Sequence, residues 1–204
     1  MSLLRTWFGP SKEEIWQQFC AQTGAHLVEG GFWQGSKVEA RHGEWTVTLD
    51  TYTVSTGKSA ATFTRMRAPY VNPDGFTFAI YRKGVFSAIG KRLGMQDVSV
   101  GYPEFDEAFI IKGNDERKLR RLFSNQRIRE LISAQPAIWF SVMDLEGGFW
   151  GQSFPPGVDE LYFRIAGVIK DVDRLKLLYE LFSETLDELC RMGSAYENDP
   201  QVKL

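Results

Sequence analysis

Glu44-Trp45-Thr46-Val47-Thr48-Leu49 alternates apolar and polar side chains with a period of two, and Glu160-Leu161-Tyr162-Phe163-Arg164-Ile165 does the same. That period belongs to a strand with one face on a core. Outward from the first stretch, Tyr52-Thr53-Val54 keeps the alternation on the opposite parity, which predicts a bulge or sharp twist near Asp50-Thr51. Further strands are predicted over Ala61–Ala68, Phe76–Tyr81, Phe105–Lys112 and Leu161–Ile169. The nearly continuous apolar run Ala137–Met143 predicts a central strand. Pro69–Gly75 reads as a loop, with Pro73-Asp74-Gly75 its turn.

Helices follow from caps and from apolar residues three and four apart. Ser11 and Glu14 form a capping box that opens a helix closed by Gly24. A short helix over Val85–Leu93 ends at Gly94. Asn114 is the expected cap of a helix carrying Leu119, Leu122 and Phe123; past Ser124-Asn125 the stripe resumes on a shifted phase at Ile128, Leu131 and Ile132, as either a second helix capped by Ser124 or one kinked helix. The clearest helix runs from a cap at Asp171 to Gly193, with Val172, Leu175, Tyr179, Phe182, Leu186 and Leu189 on one face. Strands in runs with helices, lacking regular βαβ alternation, define an α+β protein with a mainly antiparallel sheet and packed helices.

The pentapeptide Glu-Gly-Gly-Phe-Trp occurs at Glu29–Trp33 and again at Glu146–Trp150. Upstream of each copy a Ser is followed by apolar residues at matching spacings: Ser11, Ile15 and Phe19, then Ser124, Ile128 and Ile132. The shared unit is helix, strand, Gly-Gly turn, strand, with Glu44–Leu49 and Glu160–Ile165 as the closing strands. Two readings stay open. One is a duplication with intimately packed halves over about 10–100 and 101–193; the other is convergence of two hairpins on a turn that needs positive φ. No linker separates independent domains, so residues 1–204 form a single α+β domain, with 195–204 an expected polar, frayed tail.

Composition narrows the class. Of 204 residues, 43% are hydrophobic and 25% charged, ordinary for a globular chain. The aromatic share of 14%, including 15 Phe and 6 Trp, suits either a thin β-rich core or a binding surface. A net charge of −2 argues against a general nucleic-acid binder, so no DNA partner is expected. No signal peptide or membrane span is legible, which makes cytoplasm the expected location. Cys20 and Cys190 fall on apolar sides of expected helices and read as small hydrophobes, consistent with a reducing compartment.

Three segments resemble an uncharacterised family of bacterial proteins: Asn72-Pro73-Asp74-Gly75-Phe76, the run Phe105–Glu116, and Gly157-Val158-Asp159-Glu160-Leu161. The order of a Phe-containing strand, a capped helix, an apolar strand and a long terminal helix is also similar to a broader bacterial domain of unknown function. The resemblance spans roughly the last two thirds and implies kinship without an activity.

No residue set reads as catalytic, cofactor-binding or metal-ligating. His26 and His42 are expected to be structural. The pairs Asp106-Glu107 and Asp115-Glu116 read as residues on opposite faces of a strand and as partners of a helix dipole. Gly30-Gly31 and Gly147-Gly148 lie outside any phosphate-loop frame. Between Arg65 and Arg129 there are 13 Lys or Arg against 7 Asp or Glu, so Arg117, Lys118, Arg120 and Arg121 are the candidate anion-binding residues. The candidate interaction residues are Phe32, Trp33, Phe149 and Trp150, whose rings would be accessible at hairpin tips. The functional expectation is a non-catalytic domain that binds a protein partner or a second copy of itself through these rings. The alternative is a peripheral binder of an anionic membrane surface or another amphiphile, and an enzyme of unknown chemistry comes third.

Overall fold

The computed structural model describes residues 9–31, 35–55, 57, 59–84, 97–143 and 154–204. Eight strands form one antiparallel sheet: β1 (His26–Val28), β2 (Lys37–His42), β3 (Trp45–Ser55), β4 (Ala60–Val71), β5 (Phe78–Arg82), β6 (Phe109–Gly113), β7 (Trp139–Met143) and β8 (Val158–Ala166). Their spatial order is β1-β2-β3-β4-β8-β7-β5-β6. The helices are α1 (Lys12–Thr23), α2 (Pro103–Ala108), α3 (Glu116–Leu122), α4 (Gln126–Ser133) and α5 (Val172–Met192). The α+β class with a mainly antiparallel sheet is what the alternation predicts. The β4–β8 ladder joins the two halves of the chain into a single sheet.

Alternation sorts the strand residues onto two faces. Val47, Leu49, Met66, Ala68, Leu161, Phe163, Phe140, Val142, Phe78 and Ile80 point to the side where the buried residues of all five helices also lie. On α5, Leu175, Leu178, Leu181, Phe182, Leu186 and Leu189 are fully buried, each worth roughly 1.5–3 kcal/mol relative to exposure. The aromatic content is largely spent here. A chain of ring contacts runs Phe182–Phe140–Phe78–Phe123–Phe105–Phe109, with centroids 4.8 to 6.0 Å apart. Helix ends follow the cap chemistry: the Ser11–Glu14 box is formed in both directions, and Gly24 and Gly193 close α1 and α5 with φ of 73° and 78°.

Several expectations need correction. Phe105 does not begin a strand: Pro103 at the first turn starts α2, and the strand begins only at Phe109. Asp106 therefore sits on a helix. Its carboxylate accepts from Ser99 Oγ and from the backbone N–H groups of Val100, Gly101 and Tyr102 at 2.8–3.1 Å, which fixes the loop before α2. Asp115, not Asn114, caps α3, because Asn114 is drawn away to Thr77 N–H and the Gly75 carbonyl. Asn125, not Ser124, caps α4, since the Ser124 hydroxyl donates back to the Arg121 carbonyl. No bulge breaks β3, whose register with β4 is constant from Thr48↔Arg67 to Ser55↔Ala60. The parity of apolar residues switches because β3 outruns the helical layer, after which Tyr52 packs on Phe63 across the other face.

Pro69 lies within β4 rather than in a loop. The ladder to β3 begins only at Arg67, so its missing N–H falls where β4 is paired to β8 alone. The strand after the first Gly-Gly turn is β2, while Trp45–Leu49 belongs to β3, so the match of Glu44–Leu49 with Glu160–Ile165 does not align equivalent strands. Nor is the tail frayed: Tyr196 N–H bonds the Val71 carbonyl, and Val202 and Leu204 pack with Phe154, Val158 and Val71. The helix expected over Val85–Leu93 lies outside the described residues.

Gly113 ends β6 at a close approach. A Cβ there would meet Leu119 Cδ1 at 2.8 Å and the Thr77 carbonyl oxygen at 2.9 Å. Gly113→Ala is expected to lower stability by about 1–3 kcal/mol through overpacking, read as a lower urea midpoint at unchanged slope.

Candidate functional site

The face of the sheet opposite the helices carries a charged and aromatic strip. Register places Asp50, Arg65, Arg164, Trp139 and Tyr81 in one row across five strands, and Thr48, Arg67, Tyr162, Ser141 and Ala79 in the next. Cross-strand neighbours on one face touch, so cations and rings interleave. Tyr81 stacks on Trp139 at 5.2 Å, and the Arg164 guanidinium lies 5.4 Å from the Trp139 ring. The Arg65 guanidinium lies 4.9 Å from Tyr52, which stacks on Phe63 at 5.3 Å.

At the centre is a four-membered ion cluster. Arg65 grips Asp50 with Nε and Nη2 at 2.5 and 2.9 Å, and Arg67 Nη2 donates to the same carboxylate at 2.8 Å. Arg67 Nη1 also faces Glu160 Oε1 at 3.8 Å, an ion pair too long for a hydrogen bond. Arg67 is 6% exposed and Glu160 3%, so the cluster is largely out of water and its charges interact strongly. Burial drives the Glu160 carboxyl upward, Arg67 and Arg65 pull it back, and Asp50 adds to the rise; it settles at about 7. Burial, then the hydrogen bond with Tyr52, hold the Tyr162 phenol well above its ordinary range. This strip can store or release a proton near neutrality.

The strip continues outward onto a ribbon. β2 pairs with β3 only as far as Leu49, and β8 pairs with β4 only from Thr64. Residues 50–55 and 60–63 therefore run on as two strands paired to each other. Thr53, Val54 and Ser55 are exposed, Val54 at 43%. Among the described residues the outer edge of Thr51–Ser55 has no ladder partner, whereas the β4 side is met by Gly167, which bonds the Thr62 carbonyl and bridges Phe63.

Two other regions of the molecule are polar. An open groove of about 320 Å³ is lined by Trp45, Asp187, Cys190, Arg191 and Glu197. At its side His42 Nε2 lies 2.8 Å from Asp187 Oδ1, and its ring stacks on Trp45. No group of three or more His, Cys, Asp or Glu suited to a metal occurs among the described residues. The second region links the Asn72–Phe76 loop to the start of β8, to α3 and to the end of α5. Asn72 Nδ2 bonds Asp159 Oδ2 and the Phe76 carbonyl, and Asn72 N–H bonds the Gly157 carbonyl. Asp74 pairs with Lys118 and accepts from the Ser194 hydroxyl. These contacts pin the loop before β5 in place.

The candidate residues from sequence fare differently. Phe32, Trp33, Phe149 and Trp150 lie outside the described residues; the described strands nearest to them in sequence, β2 and β7–β8, are separated in the sheet by β3 and β4. Arg117, Lys118, Arg120 and Arg121 all lie on α3 but are not gathered on one target. Lys118 is taken by Asp74, Arg120 pairs with Glu116 at 2.8 Å, and Arg121 donates to the Arg191 carbonyl at the end of α5. Arg117 is exposed. Sequence reading missed the strip, although its signal was present: Arg65 and Arg67 alternate with apolar residues in β4, as Glu160, Tyr162 and Arg164 do in β8. Comparison with protein-family models, with curated proteins and with solved structures finds no match to this chain. No helix among the described residues is long and apolar enough to cross a membrane.

Proposed function

We propose that this chain is a non-catalytic domain that binds a protein partner through the edge of the β3–β4 ribbon. The observation that carries this reading is the edge Thr51–Ser55, which has no ladder partner among the described residues, outruns the sheet and is tied at its base by the Asp50–Arg65–Arg67 cluster. Unpaired strand edges offer backbone donors and acceptors to an incoming strand, and side chains such as Val54 then set selectivity. Phe32, Trp33, Phe149 and Trp150 enter the same reading as further candidate contacts. Attachment to anionic lipid through α3 has less support, because three of its four cations are already engaged within the fold.

A photoreactive side chain placed at position 54 tests the reading in living cells. It is expected to give a discrete protein cross-link that the same group at exposed Asp173, on α5, does not give. Identical labelling from both positions would contradict an edge-mediated partner.

A further inference from the structure

The outer edge of β3 is complementary to itself, and we infer that it pairs with a second copy of the chain about a twofold axis normal to the sheet, passing midway between the two copies of Thr53. This rests on the edge-binding reading and names its partner. An antiparallel pairing centred on Thr53 sets Thr53 against its own copy, Tyr52 against Val54, and Thr51 against Ser55. Tyr52 and Val54 share a face, so the exposed valine of each copy covers the ring of the other. Aromatic and β-branched residues directly opposite form a favourable cross-strand pair.

Charge selects this occupant. An isologous edge places each residue against its own neighbours, so a charged edge repels itself, and Lys, Pro or a bulge is the usual protection against such pairing. Thr51–Ser55 contains no charged residue and no Pro, and the β3–β4 register has no bulge. The charges beside the edge in the ribbon, Asp50 and Arg65 (whose guanidinium lies over Tyr52), pair with each other, and Arg67 binds the same carboxylate. Five residues a side bury less than the roughly 1,200 Å² of a stable specific interface. The dimer is therefore weak and concentration-dependent.

Sedimentation velocity over a wide concentration range, on the whole chain and on Val54→Lys, tests the pairing. The wild type is expected to move from monomer to dimer as concentration rises, and Val54→Lys to need at least about tenfold more protein for the same dimer fraction. Thr53→Cys supplies a second readout. Opposed residues of an antiparallel pair have Cα atoms roughly 4.5–5.5 Å apart, within disulfide reach. Mild oxidation should link Thr53→Cys into a covalent dimer several times faster than Asp173→Cys or the wild type with its native Cys20 and Cys190. A wild type that stays monomeric throughout, with Thr53→Cys no faster than these controls, overturns the dimer. If position 54 still cross-links to a different protein in that case, edge binding stands and only self-pairing falls. If both fail, the edge has no partner.

Discussion

Replacing Arg67 with alanine is expected to destabilise the fold by about 3–5 kcal/mol at pH 8, the range for removing one partner of a buried ion set. Arg67 is the only described cation that contacts both Asp50 and Glu160. Its loss leaves Asp50 with Arg65 alone, and leaves Glu160, 3% exposed, with only the more distant attraction of Arg65. The cost should shrink at pH 5, where Glu160 is protonated and needs no partner. Urea denaturation at the two pH values measures it. A loss below about 1 kcal/mol at both, the range of a surface pair, would mean that the cluster is solvated.

Glu160 gives the second large effect, and its sign is opposite to that of an ordinary paired carboxylate. Its folded pKa of about 7 lies above the ordinary value of 4.5, so the folded state holds the proton more tightly than the unfolded chain. Stability from this group is complete below pH 4.5 and is lost as pH rises through 7, a total of about 3 kcal/mol. Asp74 and Asp106 act in a different window. Burial raises both, but Lys118 and Ser194 at Asp74, and the Ser99 and backbone donors at Asp106, outweigh it and hold them below 3.8. Their contribution is present above that value and lost in acid, outside the range where Glu160 titrates. Melting temperature is therefore expected to fall between pH 5 and pH 8 for the wild type and to stay nearly level for Glu160→Gln. Parallel profiles for the two proteins would show that Glu160 titrates normally.

Most of the architecture was legible because alternation and caps are local signals. Glu44–Leu49, Glu160–Ile165 and Asp171–Gly193 state their own structure. The misread stretches are those where distant groups decide. Asn114 looks like a cap but is recruited by Gly75 and Thr77 across a turn. Pro69 looks like a loop residue, yet it is tolerated in a strand because β3 has left that part of the ladder. The tail is polar in composition but carries Val202 and Leu204 at positions that meet Phe154 and Val158.

The candidate site was less legible for a related reason. Arg65, Arg67, Glu160 and Tyr162 become a cluster only when β8 is placed beside β4, a pairing of strands about ninety residues apart that alternation does not specify. The end of the ribbon is likewise set by where β2 and β8 stop pairing, not by any residue of β3 itself.

Amide hydrogen exchange along β3 and β4, at a concentration low enough to keep the chain monomeric, tests the open edge most directly. Amides of Thr51–Ser55 that point away from β4 should exchange orders of magnitude faster than those of Thr64–Arg67, which lie between two paired strands. Equal protection of the two stretches in the monomer would show that the edge is already covered, and would contradict a partner-binding ribbon.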